Sequence, residues 1–215
     1  MVPQLYYITD RRQFPGDRHE QERRLLEKIV ECAAAGVELI QLREKDLSAR
    51  ALEELALKAM AALVGSRTRL LINARTDVAL ACGAHGVHLP ANDLAASDVR
   101  AIFARSGVSK PVIGVSTHSA AEVASAEAHG ADFAVFAPVF EKGGTGSKDG
   151  VDELRRICHR PEAAQPPMPV LALGGITLEN AQLCVAAGAA GIAAIRLFQQ
   201  NDVNSVVKKL LSLQT

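Results

Sequence analysis

Short apolar runs alternate with longer amphipathic segments along the chain, and each kind of segment predicts one kind of element. Leu5-Tyr-Tyr-Ile-Thr9 reads as a strand ending at Asp10. Residues 19–35 place Leu25, Leu26, Ile29, Val30 and Ala33 on one helical face, closed by Gly36 as a C-cap. Val37, Leu39, Ile40 and Leu42 form the next strand. A helix over 48–64 follows, with Ser48 as N-cap and Leu52, Leu55, Ala56 and Ala59 inward. Further strands are predicted at 69–73, 86–89, 111–115, 133–136, 169–173 and 191–195. Helices are predicted at 77–82, 97–104, 119–129, 152–159, 178–187 and 203–213.

Strict strand–helix alternation means parallel strands with helices outside. Eight such units predict an α/β fold, a single-domain (β/α)8 TIM barrel over 1–215. The competing arrangement is an open doubly wound sheet, which would need a reversal of strand order. The glycine-rich 143–146 loop and the proline-rich 161–169 loop do not break the alternation.

Composition narrows the function classes. The chain has 215 residues, 48% hydrophobic and 22% charged, with net charge +0. A neutral balance argues against nucleic acid as a partner, because backbone phosphates call for a basic surplus. No apolar run approaches the roughly 20 residues that span a bilayer, so no membrane partner is expected. Cys32, Cys82, Cys158 and Cys184 form no CxxC pair and read as reduced thiols of a cytoplasmic protein.

In a TIM barrel the chemistry sits at the C-terminal strand ends. The second strand ends in Gln41-Leu-Arg-Glu-Lys45, and residues two apart in a strand share a face. Gln41, Arg43 and Lys45 would then point together as an anion site, or form a merely basic, solvated strand exit. Asn73, Asp93, Ser116 and Ile195 lie at other strand ends. Gly174-Gly175 ends the seventh strand, where such barrels cradle phosphate, although a tight turn would use the same residues. Arg196 stands beside it after the eighth strand and either adds charge or faces solvent. His118 titrates near neutrality and suits proton transfer, or is incidental to a helix start. His88 reads as a satisfied core histidine. The 141–148 loop, with Thr145 and Lys148, reads as a lid over an anion or as a plain surface loop.

These residues resemble a known family. Tyr7-Ile-Thr-Asp10, Gln41-Leu-Arg-Glu-Lys45, Leu71-Ile-Asn73, Gly86-Val-His-Leu89, Gly114-Val-Ser-Thr-His-Ser119, Pro138-Val-Phe140 and Gly174-Gly-Ile-Thr177 are similar to the thiamine-phosphate synthase/TenI superfamily. The resemblance runs from about Leu5 to Phe198 and implies thiamine biosynthesis or salvage. One branch joins a pyrimidine pyrophosphate to a thiazole phosphate with Mg²⁺. The other, the thiazole tautomerase, shifts a proton on thiazole phosphate carboxylate with no cofactor. The resemblance assigns Gln41, Arg43 and Lys45 to the pyrimidine and its pyrophosphate, and makes Asn73 and Ser116 site residues. It also implies a homodimer.

Three departures matter. Where the synthase pattern has a metal-binding aspartate after Asn73, this chain has Ala74, leaving Asp93 as the metal carboxylate. Pro90-Ala91 replace its Gly-Gln, and Arg196 replaces a serine. Taken alone, Ala74, Leu89-Pro90 and the Phe140-Glu141 start of the lid resemble the tautomerase branch, in which His118 would be the acid/base. The alternatives are a synthase with a reduced metal site and a non-catalytic phosphate-ligand binder.

Overall fold

The barrel closes through hydrogen bonds between the first and last strands. In the computed structural model, which describes residues 3–141, 148–161 and 166–213, Leu5 pairs with Ile192 and Tyr7 with Ala194. The strands are β1 (Gln4–Ile8), β2 (Leu39–Leu42), β3 (Arg69–Asn73), β4 (Gly86–Leu89), β5 (Val112–Thr117), β6 (Phe133–Phe136), β7 (Val170–Ala172) and β8 (Gly191–Ala194). All neighbouring pairs are parallel, in the order β1 to β8. This is the predicted single-domain (β/α)8 TIM barrel, and closure excludes the open sheet.

The helices are α1 (Arg18–Ala35), α2 (Ala49–Ala62), α3 (Thr76–Ala81), α4 (Ala96–Arg105), α5 (Ala120–Ala128), α6 (Lys148–Cys158), α7 (Ala181–Ala186), α8 (Arg196–Gln199) and α9 (Val203–Leu211). Caps fix several starts, as the polar residues at those positions predict. Asp17 accepts from the Glu20 amide at 2.9 Å, Ser48 from Ala51 at 3.3 Å and Ser119 from Glu122 at 3.2 Å. Gly36, at φ 93°, closes α1 in the left-handed conformation. None of the described helices is long and apolar enough to cross a membrane.

Strand alternation produces two cores. Leu5, Tyr7, Ile40, Leu42, Ile72, Val87 and Ile113 face outward and pack under the helices. Tyr6, Ile8, Leu39, Leu71, Phe133, Val135, Leu171 and Ala193 fill the barrel interior. The interior is therefore a packed plug, and its upper layer decides what the mouth can bind.

Several boundaries depart from the sequence expectation near the site. β2 stops at Leu42, so Arg43 and Lys45 lie beyond the strand and its alternation does not orient them. The chain turns there because the Glu44 side chain folds inward onto Arg11. β5 runs two residues further, taking Ser116 and Thr117 into the strand. α7 begins at Ala181 rather than 178, and Asn180 instead ties the turn, with its Oδ1 accepting from the Thr177 amide at 2.8 Å. α6 begins at Lys148, so that residue opens a helix rather than lying within a loop. α8 is an element that periodicity did not reveal, being only one turn long.

Candidate functional site

At the end of β2, Gln41 points into the barrel and is 2% exposed. Its Nε2 donates to Tyr6 Oη at 3.1 Å. Tyr6 Oη lies 3.1 Å from His88 Nδ1, and His88 Nε2 lies 2.9 Å from Ser116 Oγ. One hydrogen-bonded chain thus crosses the barrel from β2 through β1 and β4 to β5. It forms the polar floor of the mouth, directly above Phe133, whose ring meets Tyr6 edge-on. His88 is a satisfied interior histidine, as expected. Burial, aided by the nearby Arg43 charge, holds its pKa down at about 3, so the ring is neutral.

A second network braces the loops above the floor. Thr9 Oγ1 donates to Glu44 at 2.6 Å and accepts from the Arg43 amide at 2.9 Å. The Arg11 guanidinium donates to Glu44 at 2.9 Å and forks onto Asp46 at 2.7 and 2.6 Å. This brace holds the turn that carries Arg43 and Lys45, half-buried and exposed respectively. Arg11 and Glu44 carry this brace although neither is a site candidate on sequence grounds. A signal was available in Glu44, an acid between two cations directly after an apolar strand.

Among the described residues, crevices open at several strand ends of the mouth. Lys45, Asn73 and Ala74 share one of about 320 Å³ between the ends of β2 and β3. Asp93 and Ser116 share another, about 200 Å³, with Glu122 and Pro90. The largest, about 540 Å³, lies at the ends of β7 and β8 and is lined by Gly174, Gly175, Thr177, Ile195, Arg196 and Asn201 among others. Gly174, Gly175, Ile195 and Arg196 are therefore brought together.

The glycine pair is demanded by packing. Gly174 and Gly175 have φ of 101° and 60°. A Cβ on Gly175 would sit 2.3 Å from the Glu141 carbonyl oxygen, and one on Gly174 2.8 Å from Pro138 Cα. The turn after β7 thus lies directly on the loop after β6, which leaves its backbone bare toward the cavity.

His118 is separate from this cavity. It is exposed beyond β5, its amide donates to Glu122 Oε2 at 2.6 Å, and its Nδ1 lies 3.2 Å from the same oxygen. The structure does not bring it to Gly174, Gly175 and Arg196. Thr145 lies outside the described residues, and of Lys148 only the backbone is described.

Ala74 has φ of 59°, a left-handed conformation that asparagine and aspartate adopt more readily than alanine. Its amide donates to the His88 carbonyl at 2.9 Å, which holds the turn in place. The backbone thus keeps a shape suited to a short polar side chain while the side chain itself is a methyl group. Mg²⁺ takes one or two carboxylates with substrate phosphate oxygens. Asp93, exposed at the rim, would supply one such carboxylate, and among the described residues no cluster of three or more acidic, histidine or cysteine side chains stands ready to hold a metal ion.

The family model described as thiamine monophosphate synthase matches residues 5–198. A protein of Geobacter sulfurreducens, named only provisionally as a thiamine-phosphate synthase, is 42% identical over 97% of this chain and 93% of its own. The thiamine-phosphate synthase of Methanoculleus marisnigri is 36% identical over 96% of this chain and 92% of its own. Among solved structures, the thiamine phosphate pyrophosphorylase of Pyrococcus furiosus superposes with a TM-score of 0.78 at 29% identity, covering 98% of this chain and 94% of that one.

Proposed function

The chain belongs to the thiamine monophosphate synthase family, and from that premise we propose that it is itself a thiamine-phosphate synthase. It joins a pyrimidine pyrophosphate to a thiazole phosphate and releases pyrophosphate. This order differs from the one drawn from the sequence departures, because the named relatives are synthases.

The observation that carries the reading is the presence of two separated anion-competent regions on one barrel face. Lys45 and Asn73 line the crevice at the ends of β2 and β3, and Arg43 precedes Lys45 in the same turn. Gly174, Gly175 and Arg196 stand across the mouth at β7 and β8. A reaction that joins two phosphorylated molecules uses both regions; a shift within one molecule uses only one.

In this assignment Arg43 and Lys45 bind the pyrophosphate and stabilise charge as it leaves. Gln41 and Ser116 orient the pyrimidine, and Asn73 supports the β2–β3 side. The backbone around Gly174-Gly175, with Ile195 and Arg196, holds the thiazole phosphate. Thr145 and Lys148 are assigned to the pyrophosphate. Asp93 would hold Mg²⁺ together with pyrophosphate oxygens, and the ion would neutralise the leaving group. Holding both partners in one mouth supplies the proximity that a bimolecular bond formation needs.

A second reading is favoured by Ala74 and by the His118–Glu122 pair. A carboxylate that orients an imidazole is the arrangement of a general base. On that reading the protein is the thiazole tautomerase, with His118 moving the proton and no metal required.

Genetic rescue tests the first reading. A bacterium lacking its own thiamine-phosphate synthase is expected to grow without thiamine when it expresses this chain. Failure to grow, with folded protein accumulating to the level of a rescuing control, contradicts it.

A further inference from the structure

The four side chains of the mouth floor can share protons in only one direction once one end is fixed. The amide nitrogen of Gln41 can only donate, so Tyr6 Oη accepts there at 3.1 Å. The Tyr6 proton then goes to its other neighbour, His88 Nδ1, at 3.1 Å. Nδ1 must be unprotonated to receive it. A neutral ring with a bare Nδ1 carries its proton on Nε2, which faces Ser116 Oγ at 2.9 Å. Ser116 accepts that bond, so its own hydroxyl proton points elsewhere. Among the described residues no further partner takes it, and Ser116 is half-buried at the mouth.

We infer that Tyr6 and His88 are positioning residues that carry the polarity of the site floor from Gln41 to Ser116, so that Ser116 offers a donated proton while Gln41 keeps an accepting oxygen. Turning the Gln41 amide over would reverse every link and offer the opposite pair. Which ligand meets the floor rests on the coupling reading; the polarity is a property of the chain itself, so the two can fail separately.

His88 is suited to the task because it cannot charge near neutrality: an imidazolium would donate from both nitrogens and break the link to Tyr6. The groups facing it are Tyr6, Ser116, the Phe133 ring at 6.0 Å and the Arg43 charge, and none is an acid.

Nitrogen NMR of the full chain with ¹⁵N-labelled histidine reads the tautomer directly, without substrate or metal. The expected result is a neutral His88 with its proton on Nε2 at pH 7. A proton on Nδ1, or an imidazolium, overturns the inference. Gln41→Glu replaces the donating amide by a group that only accepts when ionised. At pH 8 it is expected to drive His88 to the Nδ1–H form; an unchanged Nε2–H spectrum overturns the relay. Should Gln41→Glu fail to fold, Tyr6→Phe removes the donor to Nδ1 and is expected to give a mixture of both tautomers. Pure Nε2–H in Tyr6→Phe would show that Tyr6 sets nothing.

Discussion

Arg11 Nη1 lies 2.9 Å from Glu44 Oε2, with the two side chains 4% and 1% exposed. Removing one member of such a pair costs about 3–5 kcal/mol when it leaves a bare buried charge; Arg11 keeps its fork onto Asp46, which puts the loss at the lower end. Glu44→Gln is therefore expected to lower the melting temperature by roughly 10 °C, at the ~2–4 °C per kcal/mol of a chain this size. Because Glu44 also braces the turn carrying Arg43 and Lys45, KM for the pyrimidine pyrophosphate should rise. Calorimetry with steady-state kinetics checks both, and a variant with unchanged melting would show that the brace is slack.

His88 has its pKa depressed to about 3 by burial, against about 6.5 in an unfolded chain. Between those values the unfolded state binds the extra proton, so stability rises with pH there and is lost as pH falls from 6.5 toward 3. The slope from this group is about 1 kcal/mol per pH unit. Urea titrations at pH 4.5 and 7 should show it, and His88→Gln should flatten it.

Ala74→Asp tests the metal reading. The left-handed backbone already suits aspartate, so stability should be kept. A second carboxylate should tighten Mg²⁺ and lower the concentration needed for half-maximal coupling by about tenfold or more. Loss of folding, or an unchanged Mg²⁺ dependence, would mean that position 74 does not face the metal.

His118→Asn separates the two readings. In a synthase the exposed His118 is not required, and coupling should stay within a few-fold. In a tautomerase, losing the general base costs about 10²–10⁴ in proton exchange.

The architecture was legible because the hydrophobic period marks the elements and caps confirm several helix ends, as at Gly36, Ser48 and Ser119. The strand ends then followed from the barrel rule, and the grouping of Gly174, Gly175, Ile195 and Arg196 in one cavity matches it. What period-2 reasoning misjudged was the exit of β2. Arg43 and Lys45 are held by the turn that Glu44 and Arg11 make, a contact between residues 33 apart in sequence. The floor chain was invisible for the same reason. Tyr6 and His88 look like core residues one at a time, and only barrel closure brings them together. The separation of His118 from the glycine pair likewise follows from β5 and β7 standing apart around the ring.

Phosphorus NMR of the purified chain with pyrimidine pyrophosphate, thiazole phosphate and Mg²⁺ reads the central reaction most directly. Coupling predicts inorganic pyrophosphate and thiamine phosphate appearing in equal amounts, only when both substrates are present. Loss of neither substrate, together with rapid deuterium exchange on thiazole phosphate carboxylate in a parallel sample, would contradict it and establish the tautomerase instead.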